Sequence, residues 1–253
     1  GELGHDPNLA EGLPVSDALF TVRSGTLVPS DAIEAVNGDF EQYKGNSPAG
    51  WSFVDQPGKI SFIDTRIFQH GKASLRMQDV AAHDSQHGHA RACQVLAVQP
   101  FHYYHVSVWV KTEDWRGGET RIAVLGTGGA SLNYFEPRIA PTQDWKRLDI
   151  TFNSLESDKV NLYLGTWGGQ GGKIWWDNLQ VEPAGLVNVL RRGGTPLNIT
   201  SQDGRTVYVE GKDFGRIADS RLGNVPWPGE YTAWHDQPRV TIPAASRLAD
   251  GQT

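Results

Sequence analysis

Several shortages in this sequence close off whole classes of function. Of 253 residues only Cys93 is a cysteine, so no disulfide can form within the chain. It lies in Arg91-Ala92-Cys93-Gln94-Val95, which reads as a strand, and no partner for a catalytic thiolate stands near it in sequence. A buried, inert thiol is expected. No apolar run approaches the ~20 residues of a membrane-spanning helix, so no membrane is expected as a partner. There is no basic run, and 29 acidic against 23 basic residues give a net charge of −6. A nucleic-acid groove is therefore not expected. Helical periodicity is scarce. No Gly-x-Ser-x-Gly elbow, His-Glu-x-x-His or Walker-type loop occurs.

What the chain has instead is turns and aromatics, with 29 Gly and 9 Trp. Strand-like stretches follow one another closely: 51–54, 60–64, 73–78, 90–98, 103–112, 120–125, 145–153, 159–166 and 173–182. Turn signals such as Gln69-His70-Gly71-Lys72 separate them. Short strands so punctuated predict an all-β β-sandwich or jelly roll. Three regions are expected: residues 1–34, an N-terminal strand and linker; residues 35–184, the sandwich; residues 185–253, a second, smaller and incomplete β unit. In the last, the turn at Gln202-Asp203-Gly204-Arg205 predicts a hairpin. Tyr208 to Gly211 and Trp234 to Pro243 read as strands with no partner left to pair. The chain opens on Gly1 rather than Met, and reads as a piece of something longer.

Several motifs stand in a fixed order. They are Asn37-Gly38-Asp39-Phe40-Glu41, Pro48-Ala49-Gly50-Trp51, His70-Gly71-Lys72-Ala73-Ser74-Leu75-Arg76, Tyr104 to Lys111, and Ile174-Trp175-Trp176-Asp177-Asn178-Leu179-Gln180-Val181. In order and spacing the set resembles the carbohydrate-binding modules of the family 4, 9 and 22 group, over about 150 residues. Those are jelly rolls appended to bacterial glycoside hydrolases. The resemblance implies a polysaccharide or oligosaccharide ligand, a catalytic domain in the same parent chain, and a bacterial protein that is secreted, cell-surface or periplasmic. It also implies a structural calcium ion held by the carboxylates of Asp39, Glu41 and Asp177 and by carbonyls around His70 and Lys72. Such an ion would tie together segments far apart in sequence.

Strand alternation then nominates the ligand face, because sugars offer apolar faces rimmed by hydroxyls and aromatic rings cover such faces. In Val106 to Lys111 the valines face the core, so Trp109 points outward with Ser107 and Lys111. In Val160 to Leu164, Tyr163 points outward with Asn161. Ile122 and Val124 point inward, so Arg121 points outward. Trp167, Tyr134 and Glu136 sit where they can rim the same face. The expected ligand set is Trp109, Tyr163, Trp167, Tyr134, Arg121 and Glu136, with no catalytic residue. Trp51, Trp145 and Trp176 read as structural; Trp115 reads as either a rim residue or a loop anchor. The stretch His83-Asp84-Ser85-Gln86-His87-Gly88-His89 has the composition of a zinc or copper site, yet lies where a long solvated loop is expected. Two other readings remain open. One is a polysaccharide lyase or hydrolase, using Tyr163, Lys111 and Arg121 if they converge. The other is a structural module that packs on a catalytic domain.

Overall fold

The computed structural model describes residues 19–30, 33, 35–183, 199–216 and 240–253. The chain divides into two compact units, Ile33–Glu182 on one hand and Gly1–Ala32 with Pro183–Thr253 on the other. Seventeen strands are found among the described residues. They run β1 (Phe20–Arg23), β2 (Thr26–Pro29), β3 (Tyr43–Lys44), β4 (Ser47–Pro48), β5 (Phe53–Val54), β6 (Ser61–Asp64) and β7 (Ser74–Gln78). After a one-turn helix, α1 (Val80–His83), come β8 (Ala90–Ala97), β9 (Tyr103–Arg116), β10 (Glu119–Leu125), β11 (Ser131–Phe135), β12 (Gln143–Asn153), β13 (Lys159–Trp167) and β14 (Gly171–Pro183). The last three are β15 (Ile199–Thr200), β16 (Val207–Tyr208) and β17 (Val240–Thr241).

In the larger unit two five-stranded sheets face each other as a jelly-roll sandwich. Their orders are β11-β10-β13-β8-β5 and β12-β9-β14-β7-β6. Alternation dictates the packing. Val106, Val108 and Val110 of β9 are fully buried, and Val106 and Val108 stand opposite Ile150 and Leu148 of β12. In the other sheet Leu162 and Leu164 of β13 stand opposite Val124 and Ile122 of β10. These residues join Phe40, Leu75 and Trp176 in one core between the sheets. The branched side chains pack well on a pleated surface, which is why these stretches prefer strands.

The smaller unit holds the sheet β1-β2-β17 and the hairpin β15-β16. The hairpin forms around the expected turn, with Ile199 opposite Tyr208. The strands expected to be unpaired have partners. Val207–Tyr208 is in that hairpin, and Val240 and Thr241 pair with Leu27 and Thr26. The N-terminal strand, expected as a separate segment, therefore supplies the C-terminal strand's partner. Local pattern could not show this, because the pairing spans over 200 residues. Val22, Tyr208, Phe214, Val240 and Leu248 form a small core there. Of the stretch expected as a strand from Trp234 to Pro243, residues 234–239 lie outside the described residues. Among the described residues no helix is long and apolar enough to cross a membrane.

Candidate functional site

The outer face of the sheet β11-β10-β13-β8-β5 carries a connected group of rings. Register fixes one row across all five strands: Phe53 opposite Cys93, Cys93 opposite Tyr163, Tyr163 opposite Ala123, and Ala123 opposite Tyr134. The adjacent row sets Arg91 and Arg121 on either side of Gly165. Rings and small residues thus alternate along the row, with Tyr163 on the central strand between Cys93 and Ala123 and Gly165 two residues further along that strand. Phe53 and Tyr163 meet edge-on at 5.8 Å, Tyr163 and Trp167 lie 6.2 Å apart, and Tyr134 and Trp167 lie 6.3 Å apart. Tyr134 is 45% and Phe53 36% exposed, which leaves their rings open to a ligand.

Two arginines hold the rings from the side. The Arg121 guanidinium sits 4.3 Å from the Tyr134 ring centre and pairs with Glu119 at 2.7 Å and Glu136 at 3.4 Å. Arg91 bonds both oxygens of Asp55, at 2.9 and 3.3 Å. Its guanidinium stands 5.6 Å from the Phe53 ring centre and 5.9 Å from that of Trp167. Ion pairs of this kind fix the arginines as planar shelves beside the rings. Beneath Tyr163, Cys93 is 1% exposed. Burial pushes its thiol pKa up, so the thiol form dominates and nucleophilic character is suppressed.

Five of the six residues nominated from sequence meet here: Tyr163, Trp167, Tyr134, Arg121 and Glu136. Trp109 does not. It points outward as alternation required, but from β9, opposite Arg147 in the other sheet. The sandwich core separates it from the other five. Lys111 shares that remote face and pairs with Asp144 at 2.9 Å, so the convergence of Tyr163, Lys111 and Arg121 that a lyase would need does not form. Alternation tells inside from outside but does not tell which of two sheets a strand joins. Two members of the face were missed. Arg91 was legible, since it alternates with inward Ala92. Phe53 was not, because Trp51 precedes β5 and stacks on Phe40 at 5.0 Å in the core. Counting from Trp51 places Phe53 inside. Trp115 is neither a rim residue nor a loop anchor: it lies within β9, 5% exposed in the core between the sheets, with Nε1 donating to Thr120 Oγ1 at 3.1 Å.

The segments named for calcium do converge, in a particular way. Asp177 is fully buried, and its Oδ2 accepts from the amides of Gln69 (2.6 Å) and His70 (2.9 Å). Glu41 Oε1 accepts from the amides of Lys72 and Ala73, the latter at 2.8 Å. The loop offers N–H groups where carbonyls of His70 and Lys72 were expected to face a cation. The amides already satisfy part of the carboxylate set. Even so, burial pushes the Asp177 pKa up to about 6 against the pull of its amide donors. The donor chemistry suits a hard cation: carboxylate oxygens, one of them short of compensation for lost hydration. Asp39, with Oδ1 3.5 Å from the Glu41 amide, stands beside it.

The histidine-rich stretch is ordered by its own hydrogen bonds. Asp84 accepts from the amides of His87 (3.2 Å) and His89 (2.9 Å). The Gly168 amide donates to the His87 carbonyl at 2.9 Å and Gly169 to the Gly88 carbonyl at 2.8 Å. The expected long solvated loop is thus docked on the residues that follow Trp167, at one end of the ring strip. Burial and the nearby Arg91 lower the His89 pKa.

No curated protein matches the chain. Solved structures similar to it include a family 61 carbohydrate-binding module in complex with β-1,4-galactotriose (15% identity, 61% of this chain and 100% of that one, TM-score 0.46). Another is the family 22 xylan-binding domain of Xyn10C from Paenibacillus barcinonensis (16% identity, 59% and 94%, TM-score 0.42). A third is a family 4 module (20% identity, 59% and 99%, TM-score 0.41). The sequence profile of the carbohydrate binding domain family matches residues 34–173. That is more than half of the chain and nearly all of the sandwich, and the protein accordingly belongs to the carbohydrate binding domain family.

Proposed function

We propose that the sandwich binds a polysaccharide chain, of the β-glucan or xylan kind, on the outer face of the sheet β11-β10-β13-β8-β5, without catalysing its cleavage. The observation that carries this reading is the strip Phe53, Tyr163, Trp167 and Tyr134, interleaved with Cys93, Ala123 and Gly165. Rings in sequence favour a chain over a single sugar, since each offers a separate stacking surface. Arg91, Arg121 and Glu136 supply hydrogen bonds to hydroxyls at the rim. Glycoside hydrolysis needs two carboxylates flanking the scissile bond. Here Glu119 and Glu136 both pair with Arg121, which suits a positioning role better than acid–base work.

The reading includes a structural calcium ion held by the carboxylates of Asp39, Glu41 and Asp177. The buried Asp177 supports it. It also includes a catalytic domain in the parent protein and a secreted, cell-surface or periplasmic bacterial setting. Affinity electrophoresis of the chain in gels containing β-glucan, xylan or mannan tests the function. Retardation by at least one polymer, with no reducing ends or unsaturated products released, is the expected result. Product release would instead favour the hydrolase or lyase. No retardation across the panel would favour a module that only packs on a catalytic domain.

A further inference from the structure

We propose that Asp84, His87 and His89 form a binding site for a divalent transition-metal ion of the zinc class. The site goes beyond the sugar reading and does not depend on it. Three side chains of the right kind converge: two imidazoles and one carboxylate, each offering one ligand atom, all within 4.8 Å of one another. His87 Nδ1 lies 3.5 Å from Asp84 Oδ1, and His89 Nδ1 lies 3.8 Å from Asp84 Oδ2. Zinc–nitrogen and zinc–oxygen bonds near 2.1 Å in a tetrahedron set ligand atoms about 3.4 Å apart. The two approaches are close to that spacing and too long for good hydrogen bonds. The nitrogens therefore gather on the carboxylate without bonding it.

The scaffold is already set. Asp84 takes the amides of His87 and His89, which fixes the short turn between the ligands. The His87 and His89 rings stack at 5.2 Å with 21° between planes, which keeps the two imidazoles side by side. Gly88 between them has φ +63, and a Cβ there would fall 2.6 Å from Gly169 backbone atoms. Only glycine lets the turn sit this close to the strand end at Trp167. His87 is 54% exposed at its side chain, so solvent reaches the site and water can complete the coordination. Imidazole and carboxylate together select zinc, copper or nickel over calcium. This separates the site from the all-oxygen set at Asp177.

The test is calorimetric titration of Zn2+ into the full chain, stripped with EDTA and then held in excess Ca2+. One ion per chain is expected to bind. His87→Ala and His89→Ala are each expected to weaken binding by about tenfold or more. His83→Ala, which alters a neighbouring histidine outside the cluster, should bind as the parent does. His87→Gln and His89→Gln repeat the comparison with polar side chains retained, and near-UV circular dichroism confirms that each variant is folded. Absence of binding heat would overturn the proposal, as would undiminished binding by a folded double variant or abolition of the Zn2+ signal by Ca2+.

Discussion

His105 of β9 sits 1% exposed between two carboxylates, 2.9 Å from Asp149 and 2.8 Å from Glu182. Burial alone would lower its pKa, but the hydrogen bonds to Asp149 and Glu182 more than reverse this and hold it above the ordinary value. A histidine with a raised folded pKa stabilises the fold fully below its unfolded value, near 6.5, and loses that contribution as pH rises through the folded value. Urea unfolding of the parent and of His105→Gln should therefore differ most at pH below about 6.5 and converge in alkali. A gap that widens with pH would contradict the assignment. At this scale the sequence was legible only in part. Alternation gave the direction of Trp109, Tyr163 and Arg121 correctly. It did not reveal that His105, an outward position, would be buried by paired carboxylates. Nor could it place Phe53, whose strand starts two residues later than the pattern suggests.

At the scale of elements, the proposed binding face depends on how closely β13 and β8 approach. Gly165 has φ +146, and a Cβ there would meet the Ala90 carbonyl oxygen at 2.2 Å. The Gly165→Ala variant should lose about 1–3 kcal/mol from backbone strain alone. That corresponds to a lower melting temperature by roughly 2–4 °C per kcal/mol, and sugar affinity should fall as the face shifts. An unchanged melting temperature would contradict the close approach. In the core, Leu162→Ala removes a fully buried side chain and should cost about 2–5 kcal/mol by chemical denaturation. The loop 69–73 makes a different demand. If calcium compensates the buried Asp177, adding Ca2+ to EDTA-treated protein should raise the melting temperature, by about 2.7 kcal/mol of stability at a hundredfold excess over Kd. Asp177→Asn should remove that response. A parent protein indifferent to Ca2+ would mean that the amide hydrogen bonds alone close this corner. Most of these strands were readable because inward valines, leucines and isoleucines alternate with polar residues. β11 was not read as a strand, because Ser131-Leu132-Asn133-Tyr134-Phe135 has a single fully buried residue, Leu132, and too little alternation to stand out.

For the molecule as a whole, the two units differ in how far they could be foreseen. The sandwich was visible as an ordered series of motifs because its strands are separated by short turns. The smaller unit joins β1 and β2 to β17, and nothing in local composition encodes a partner so far along the chain. The same limit explains Trp109: membership of a sheet is a property of topology. One outer face of the sandwich, and not the other, is proposed to hold the sugar chain. This is tested most directly by calorimetry with a soluble oligosaccharide of whichever polymer retards the parent, comparing Trp167→Ala, Tyr134→Ala and Trp109→Ala. The first two should each weaken binding by about tenfold or more, the loss of a central aromatic contact of 1.4 kcal/mol or above, with little change in melting temperature. Trp109→Ala should leave affinity unchanged. Loss of binding in Trp109→Ala, with Trp167→Ala and Tyr134→Ala binding like the parent, would place the sugar on the opposite sheet and contradict the account.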